Sequence, residues 1–184
     1  MRKLLVIGIC FILFSGCNSP EKKETEEAQT AAKEIKIVKE SIKRHTFSDP
    51  TTQDIFIVKL VGDSVQTAAV TFEITDSKGK QLYTDTFEAN YLLNYDLKEN
   101  ATATERDAFI HARIDSFFVD VNFKDPAIKP DMTFDPNYSD KKIWDDVQAD
   151  TSAIGFYYLK GKEDGRWIAY SKAQQKVVLY FNCC

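Results

Sequence analysis

The sequence predicts an α+β domain: an antiparallel sheet of about six strands with one principal helix packed on a face. Short runs of β-branched and aromatic residues stand on both sides of a helical middle segment, and turn residues separate the runs. Hairpin strands, then a helix, then three further strands form an order of elements that is typical of this class.

Three strands are predicted before the helix. The run DIFIVKLV is apolar on both faces, which suits an interior strand. Val70, Phe72 and Ile74 alternate with polar residues, so the next strand is expected to be half-buried. A turn at 76–79, with Gly where a positive φ is needed, then leads into the hairpin partner KQLYTDTFEA.

The principal helix is predicted to begin at Thr102, because Thr102 and Glu105 have the spacing of a capping box. Its apolar face consists of residues at helical spacing, namely Ile110, Ile114, Phe117, Phe118 and Val121. A short second helix is predicted from Ser139. Its inward side chains are Ile143, Trp144 and Val147.

The C-terminal part predicts an antiparallel meander of three strands, AIGFYYLKG, GRWIAYSK and KVVLYFNCC, with turns at 161–165 and 173–175. Apolar residues occupy both faces of these strands. Either the sheet is covered on both sides, or one face is a binding surface.

The chain begins with the pattern of a secretory signal. Arg2 and Lys3 precede an apolar stretch from Leu4 to Phe14, and small residues follow it. A membrane-spanning helix needs about 20 apolar residues, and this stretch is much shorter. The sequence therefore predicts an export signal over residues 1–16 and no spanning helix there.

The tetrad Phe14-Ser15-Gly16-Cys17 resembles the lipobox of bacterial lipoproteins, with Phe where that family more often has Leu. The resemblance implies that Cys17 becomes the first residue of the mature chain and carries lipid. An ordinary signal with an incidental Cys is the alternative. Asn18, which is not Asp, is compatible with transfer to an outer membrane in families with a sorting rule at that position. The body resembles envelope lipoproteins of unknown function.

Residues 17–48 are predicted to be the lipidated Cys and a polar tether, and 49–184 a single globular domain. The later part of the tether is expected to be helical, from apolar residues at helical spacing: Ala28, Ala31, Ile35, Val38 and Ile42. A strand through Ile35 and Ile37 is the alternative.

Removal of residues 1–16 leaves 22 basic residues against 28 acidic ones, a net charge near −6. This balance argues against nucleic acid and anionic headgroups as partners. Cys183 and Cys184 are adjacent, and we expect Cys183 to be buried as a small apolar side chain and Cys184 to be a nearly free thiol. A vicinal or intermolecular disulfide is the alternative, because an exported compartment is oxidising. We expect a monomer without a cofactor.

Enzyme signatures such as GxSxG, HExxH, CxxC and a glycine-rich phosphate loop are absent from the sequence. Asp107, His111 and Asp115 share one stripe of the predicted helix, and an imidazole between carboxylates can act as a base or hold a metal. A solvated stripe beside the apolar face is the alternative that the sequence favours.

Four oxygen-bearing residues have the spacing of a calcium loop: Asp135, Asn137, Ser139 and Asp146. Asp140 stands at the sixth position, where such a loop needs Gly for its sharp turn. A turn followed by a helix cap is therefore the favoured interpretation, and no metal is predicted.

A proline-rich loop at 124–140 carries Phe134 and Tyr138, and Trp144 follows it. Aromatic side chains on a long ordered loop suit a sugar or a peptide. We therefore expect a lipid-anchored, non-enzymatic envelope protein that binds a protein or glycan partner. The alternatives are an envelope hydrolase or metal-dependent enzyme that uses Asp107, His111 and Asp115, and a structural or inhibitory protein.

Overall fold

The computed structural model describes residues 36–183 and confirms the α+β class. It contains two antiparallel sheets of four strands each, so the prediction of a single sheet of about six strands is wrong. In spatial order, the first sheet is β1 (Ile37–His45), β2 (Asp54–Val61), β3 (Ala69–Thr75) and β4 (Gln81–Glu88). The second sheet is β5 (Phe123–Lys124), β6 (Gly155–Lys160), β7 (Asp164–Ser171) and β8 (Lys176–Cys183). The helices are α1 (Ala103–Asp115) and α2 (Lys141–Ala149).

All six predicted strands are present, as β2, β3, β4, β6, β7 and β8, and β2 is an interior strand as expected. The sheet divides in two because each half has an apolar face to bury. Two facing sheets satisfy both faces with one shared core.

β1 lies inside the stretch that the sequence assigned to the tether, so the first sheet starts before residue 49. The expected helix is wrong for Val38 and Ile42, since β1 pairs with β2 along its length. Without β1, the apolar strand β2 would expose an unpaired edge. The other residues of the predicted stripe, Ala28, Ala31 and Ile35, lie outside the described residues.

The main core lies between the two sheets and α1. The Phe72 ring on β3 is 5.5 Å from Phe156 and 5.2 Å from Tyr158 on β6. Phe117, just after α1, is 5.3 Å from the same ring. Each large side chain that is fully buried here stabilises the fold by about 2 kcal/mol before entropy.

α1 begins with the predicted capping box: Thr102 Oγ1 accepts from Glu105 N at 3.3 Å, and Glu105 Oε2 accepts from Thr102 N at 2.8 Å. Ile110 and Ile114 are buried as predicted. Val121 is 70% exposed, so its place on the apolar face is wrong. The helix ends at Asp115, and the helical spacing does not extend to Val121.

α2 covers the outer face of the second sheet, so this sheet is covered on both sides. Its cap is Asp140, whose Oδ1 accepts from Ile143 N at 3.0 Å, and not the predicted Ser139. Trp144 and Val147 are buried against β7 and β8.

A β-bulge in β8 widens the apolar surface under α2. Trp167 opposes Phe181 and Ile168 opposes Leu179, so Tyr180 is an extra residue in the ladder. Tyr180 and Phe181 both pack in the cluster below α2, although they are neighbours in sequence.

The export signal, Cys17 and residues 18–35 lie outside the described part of the chain, as does Cys184. Within residues 36–183, neither helix combines the length and the apolar character that crossing a bilayer requires.

Candidate binding cleft

The predicted loop aromatics largely pack into the domain. Trp144 is only 1% exposed, and it anchors α2 on the second sheet. Phe134 is half-buried, with its ring 6.0 Å from that of Trp144 and the Lys141 ammonium 5.4 Å above it. The Trp144 ring is therefore buried, and the Phe134 ring is partly covered by its neighbours.

Tyr138 is 38% exposed. Its ring lies 5.7 Å from Phe181, and its backbone carbonyl accepts from Asn182 N at 2.9 Å. This bond ties the loop to the edge of β8. Of the three predicted binding aromatics, Tyr138 exposes the most of its surface.

Three of the four residues with calcium-loop spacing form hydrogen bonds within the fold. Asp135 Oδ1 accepts from Asn137 N and Asn137 Nδ2, both at 2.9 Å, which closes a turn. Asp146 Oδ2 accepts from the Ser171 hydroxyl on β7. Ser139 Oγ is buried, with no hydrogen-bond partner among the described residues. Within residues 36–183, no cluster of three or more His, Cys, Asp or Glu has an arrangement suited to a metal ion.

Asp107, His111 and Asp115 on α1 are not joined by hydrogen bonds among the described residues, so they do not form a catalytic arrangement. Asp115 pairs with Lys39 Nζ at 2.7 Å, on β1. His111 is half-buried, and one carboxylate oxygen of Asp107 is buried without a partner in the described part of the chain. No hydrogen bond there joins His111 to either carboxylate, so neither aspartate orients the imidazole.

The structure instead brings three distant segments around a cavity of about 380 Å³. These segments are 88–99, the first turn of α1 and the β6–β7 turn at 161–163. We call this cavity the tyrosine cleft. It is lined by Glu88, Asn90, Tyr91, Leu93, Asn94, Leu97, Lys98, Glu99, Arg106, Gly161 and Lys162. Ligand pockets usually measure about 300–1,000 Å³, so its volume suits a small ligand or part of a larger one.

The 88–99 segment is held in place by buried anchors and local bonds. Ala89 and Leu92 are buried in a short 3₁₀ turn and join the main core. Asn94 Oδ1 accepts from Asp96 N at 3.0 Å, which stabilises the following turn. Gly161 N donates to the Tyr91 carbonyl and connects the segment to the β6–β7 turn. The wall of the cleft is therefore formed in advance of binding.

Two tyrosines beside this cleft lie outside the core and are exposed to solvent. Tyr91 is 48% exposed and Tyr95 67%. Gly161 has a φ of +78°, and a Cβ there would lie 3.5 Å from Tyr91 Cδ1, so the Tyr91 ring lies against this glycine. A positive φ favours glycine at this turn.

Tyr95 is fixed over the β6–β7 turn. Its hydroxyl donates to Glu163 Oε1 at 2.6 Å, and the Lys162 ammonium lies 4.9 Å from the ring centroid. The hydrogen bond to Glu163, with a smaller contribution from burial, raises the pKa of Tyr95. The phenol therefore stays protonated at neutral pH.

Charged groups of both signs line the cleft, and some of them have no hydrogen-bond partner among the described residues. Lys98 pairs with Glu105 at 2.6 Å. Arg106 Nε donates to the Ala101 carbonyl at 3.2 Å, and its terminal nitrogens have no hydrogen-bond partner among the described residues. The same holds for the carboxylates of Glu88 and Glu99.

Next to the cleft in sequence, a charged network connects the two sheets. The Asp85 carboxylate on β4 accepts from Tyr158 Oη at 2.9 Å, from Lys160 Nζ at 3.2 Å and from Arg166 at 3.2 Å. Arg166 also pairs with Asp164 at 2.9 Å. Each cation of the network has a carboxylate partner, so the network serves as a connection between sheets.

The pKa values in this network agree with a structural role. Burial raises the pKa of Tyr158, and the bonds to Asp164 raise the pKa of Arg166. Burial alone would raise the pKa of Asp164, but its bonds to Arg166 and Asn182 lower it. All three groups therefore keep the protonation states that pair them.

Sequence reasoning missed the tyrosine cleft. The available signal was the pair of tyrosines in ANYLLNYDL, two large aromatic residues within five positions of a polar connection between strand and helix. Their proximity to Gly161 depends on tertiary packing that no local pattern encodes.

Comparison of the chain with protein-family models, with curated proteins and with solved structures gives no match.

Proposed function

We propose that this chain is a lipid-anchored binding module of the bacterial outer membrane, and that it binds a protein or glycan partner through the tyrosine cleft. The cleft is the observation that supports binding. It combines a preformed wall, the exposed ring of Tyr91 and polar side chains without partners among the described residues. Arrangements of this kind are typical of ligand sites.

The lipobox-like tetrad ending at Cys17 supports the anchor. Each methylene of an acyl chain buried in a bilayer contributes about 0.8 kcal/mol, so several chains on one residue hold a protein stably. The twenty residues from Cys17 to the start of β1 would reach about 65 Å if extended. That reach allows a domain to meet partners away from the bilayer surface.

Affinity capture from solubilised envelopes of the native host tests the binding site. The bait is the lipidated protein in detergent, as wild type, Tyr91→Ala or Tyr138→Ala. We expect partners captured by wild type to be lost with Tyr91→Ala and retained with Tyr138→Ala, since the Tyr138 ring packs near Phe181. Loss with Tyr138→Ala alone would move the site to the 124–140 loop. Retention with both variants would remove both surfaces from the account.

Membrane fractionation of a Cys17→Ser variant tests the anchor separately. The wild-type chain should sediment with membranes, and the variant should leave that fraction because it has no thiol to acylate. A variant that still sediments with lipid would contradict lipidation at Cys17.

A further inference from the structure

The unpartnered polar groups of the tyrosine cleft include both acceptors and donors. Glu88 and Glu99 can only accept when ionised, while the terminal nitrogens of Arg106 can only donate. Asn90 is exposed and can do both. A ligand that satisfies this set must itself donate and accept at several neighbouring positions.

A hydroxyl group has this property, because each one is a donor and an acceptor at the same atom. A polyhydroxylated ligand without charge can bond to Glu88 and Glu99 and also to Arg106. A charged peptide segment would place an anion beside the two carboxylates or a cation beside Arg106 and Lys162. The mixed signs of the lining therefore favour a neutral ligand.

The tyrosines supply the apolar part of such a site. The Tyr91 ring lies against Gly161, and the residue is 48% exposed. An aromatic face of this kind packs against the C–H face of a pyranose ring through dispersion and the ring quadrupole. Tyr95, held by Glu163 and Lys162, offers a second exposed ring near the β6–β7 turn.

We infer that the ligand of the tyrosine cleft is a neutral oligosaccharide, which stacks one sugar ring on Tyr91 and bonds through its hydroxyls to Glu88, Glu99 and Arg106. This inference rests on the proposed function, because it names the chemical class of the partner at the same site. The cavity of about 380 Å³ suits a short segment of a glycan, while the rest of the chain extends into solvent.

An array of neutral and acidic oligosaccharides tests the inference, probed with the full mature protein in detergent. Wild type should bind neutral members. Tyr91→Ala should weaken that binding at least tenfold, because the stacking surface is lost. Tyr91→Phe should stay within about threefold of wild type, because the ring is kept. Tyr138→Ala is the matched control, an exposed tyrosine outside the cleft, and should bind as wild type does.

The Tyr91 side chain is exposed, so these variants should fold, and equal thermal midpoints would verify this. Failure of wild type to bind any neutral oligosaccharide would overturn the inference, as would equal binding by Tyr91→Ala. If envelope capture still depends on Tyr91 while the array shows no neutral glycan, the glycan class is wrong and the proposed function stands. If neither depends on Tyr91, both fail.

Discussion

Gly155, at the start of β6, shows how tightly the cluster below α2 is packed. A Cβ at this position would lie 2.6 Å from Tyr180 Oη and 3.1 Å from Ala127 Cα. The Tyr180 hydroxyl cannot retreat freely, because it donates to the Ala127 carbonyl at 2.9 Å. Glycine is required here because Tyr180 and Ala127 approach its backbone closely, and not because of its backbone angles.

Gly155→Ala should lower the free energy of unfolding by about 1–3 kcal/mol, the usual cost of an overpacked site. Tyr180→Phe removes the hydroxyl and its bond, at about 1 kcal/mol. The double variant should lose less free energy of unfolding than the sum of the two single variants, because the hydroxyl nearest to the added Cβ is absent. Urea unfolding of the three variants measures this coupling, and strict additivity would contradict the proposed overlap.

Glu105 makes the start of α1 sensitive to acid. The bond from Lys98 and then the bonds from Thr102 lower the pKa of Glu105 to about 2, against an ordinary value of 4.5. The folded state therefore binds fewer protons than the unfolded chain between these values. The stability that Glu105 contributes is complete above about pH 4.5 and is lost as the pH falls towards 2.

Glu105→Gln removes this titration but keeps an oxygen for the capping box. The urea midpoint of the variant should fall less between pH 5 and pH 2.5 than that of wild type. Glu99→Gln is the control, since its carboxylate has no hydrogen-bond partner among the described residues, and it should follow the wild-type profile. Identical acid losses in wild type and Glu105→Gln would refute the assignment.

At the scale of elements, local signals predicted what local interactions determine. The capping box at Thr102 needs only residues within one turn, and α1 begins where the spacing indicated. For β1 the sequence favoured a helix and offered a strand through Ile35 and Ile37 only as the alternative. β1 has few apolar residues, and it gains stability from pairing with β2, an interaction that the local sequence does not encode. Its inward lysines bond to Asp115 and Asp120, partners that only the fold supplies.

α2 offers a direct comparison of a cap with a surface ion pair. Asp140→Ala removes the acceptor for Ile143 N and should cost about 1 kcal/mol. Asp145→Ala breaks the exposed pair with Lys141 and should cost less than about 0.5 kcal/mol. Both free energies come from urea unfolding. A larger loss for Asp145→Ala would show that the surface pair outweighs the cap.

At the scale of the whole molecule, the main core and the charged network at Asp85 both connect the two sheets. The two sheets bury their apolar faces in this shared core, and the network at Asp85 adds a polar connection between β4 and the second sheet. Lys160 and Asp85 are each about 15% exposed or less, so their attraction is screened less than that of surface pairs. Breaking such a network leaves cations with few alternatives for solvation.

Asp85→Ala should therefore lower the free energy of unfolding by about 2–3 kcal/mol. This is less than the cost of breaking a fully buried ion pair, because the network is partly solvated. Lys59→Ala, on the outer face of the first sheet, removes contacts to Glu40 and Glu73 at 3.9 and 4.0 Å. That variant should cost at most about 0.5 kcal/mol. Equal costs in calorimetric or urea measurements would remove the network from the account of stability.

The fold class and six of the eight strands were predictable, but the candidate site was not. Tyr91, Arg106 and Gly161 come from three segments that meet only after the sheets and α1 pack. The sequence instead favoured Phe134, Tyr138 and Trp144. In the structure Trp144 is buried, Phe134 is half-buried and Tyr138 is 38% exposed. A run of aromatic residues near prolines looks the same in sequence whether its side chains bind a ligand or fill a core.

The covalent state of the mature N-terminus tests the central claim most directly, that lipid on a cysteine holds this domain at a bilayer. Intact mass spectrometry of the protein purified from native membranes should find a chain that begins at Cys17 and exceeds the polypeptide mass by a diacylglycerol and an acyl group. A chain that begins elsewhere, or one with the mass of the bare polypeptide, would contradict the account.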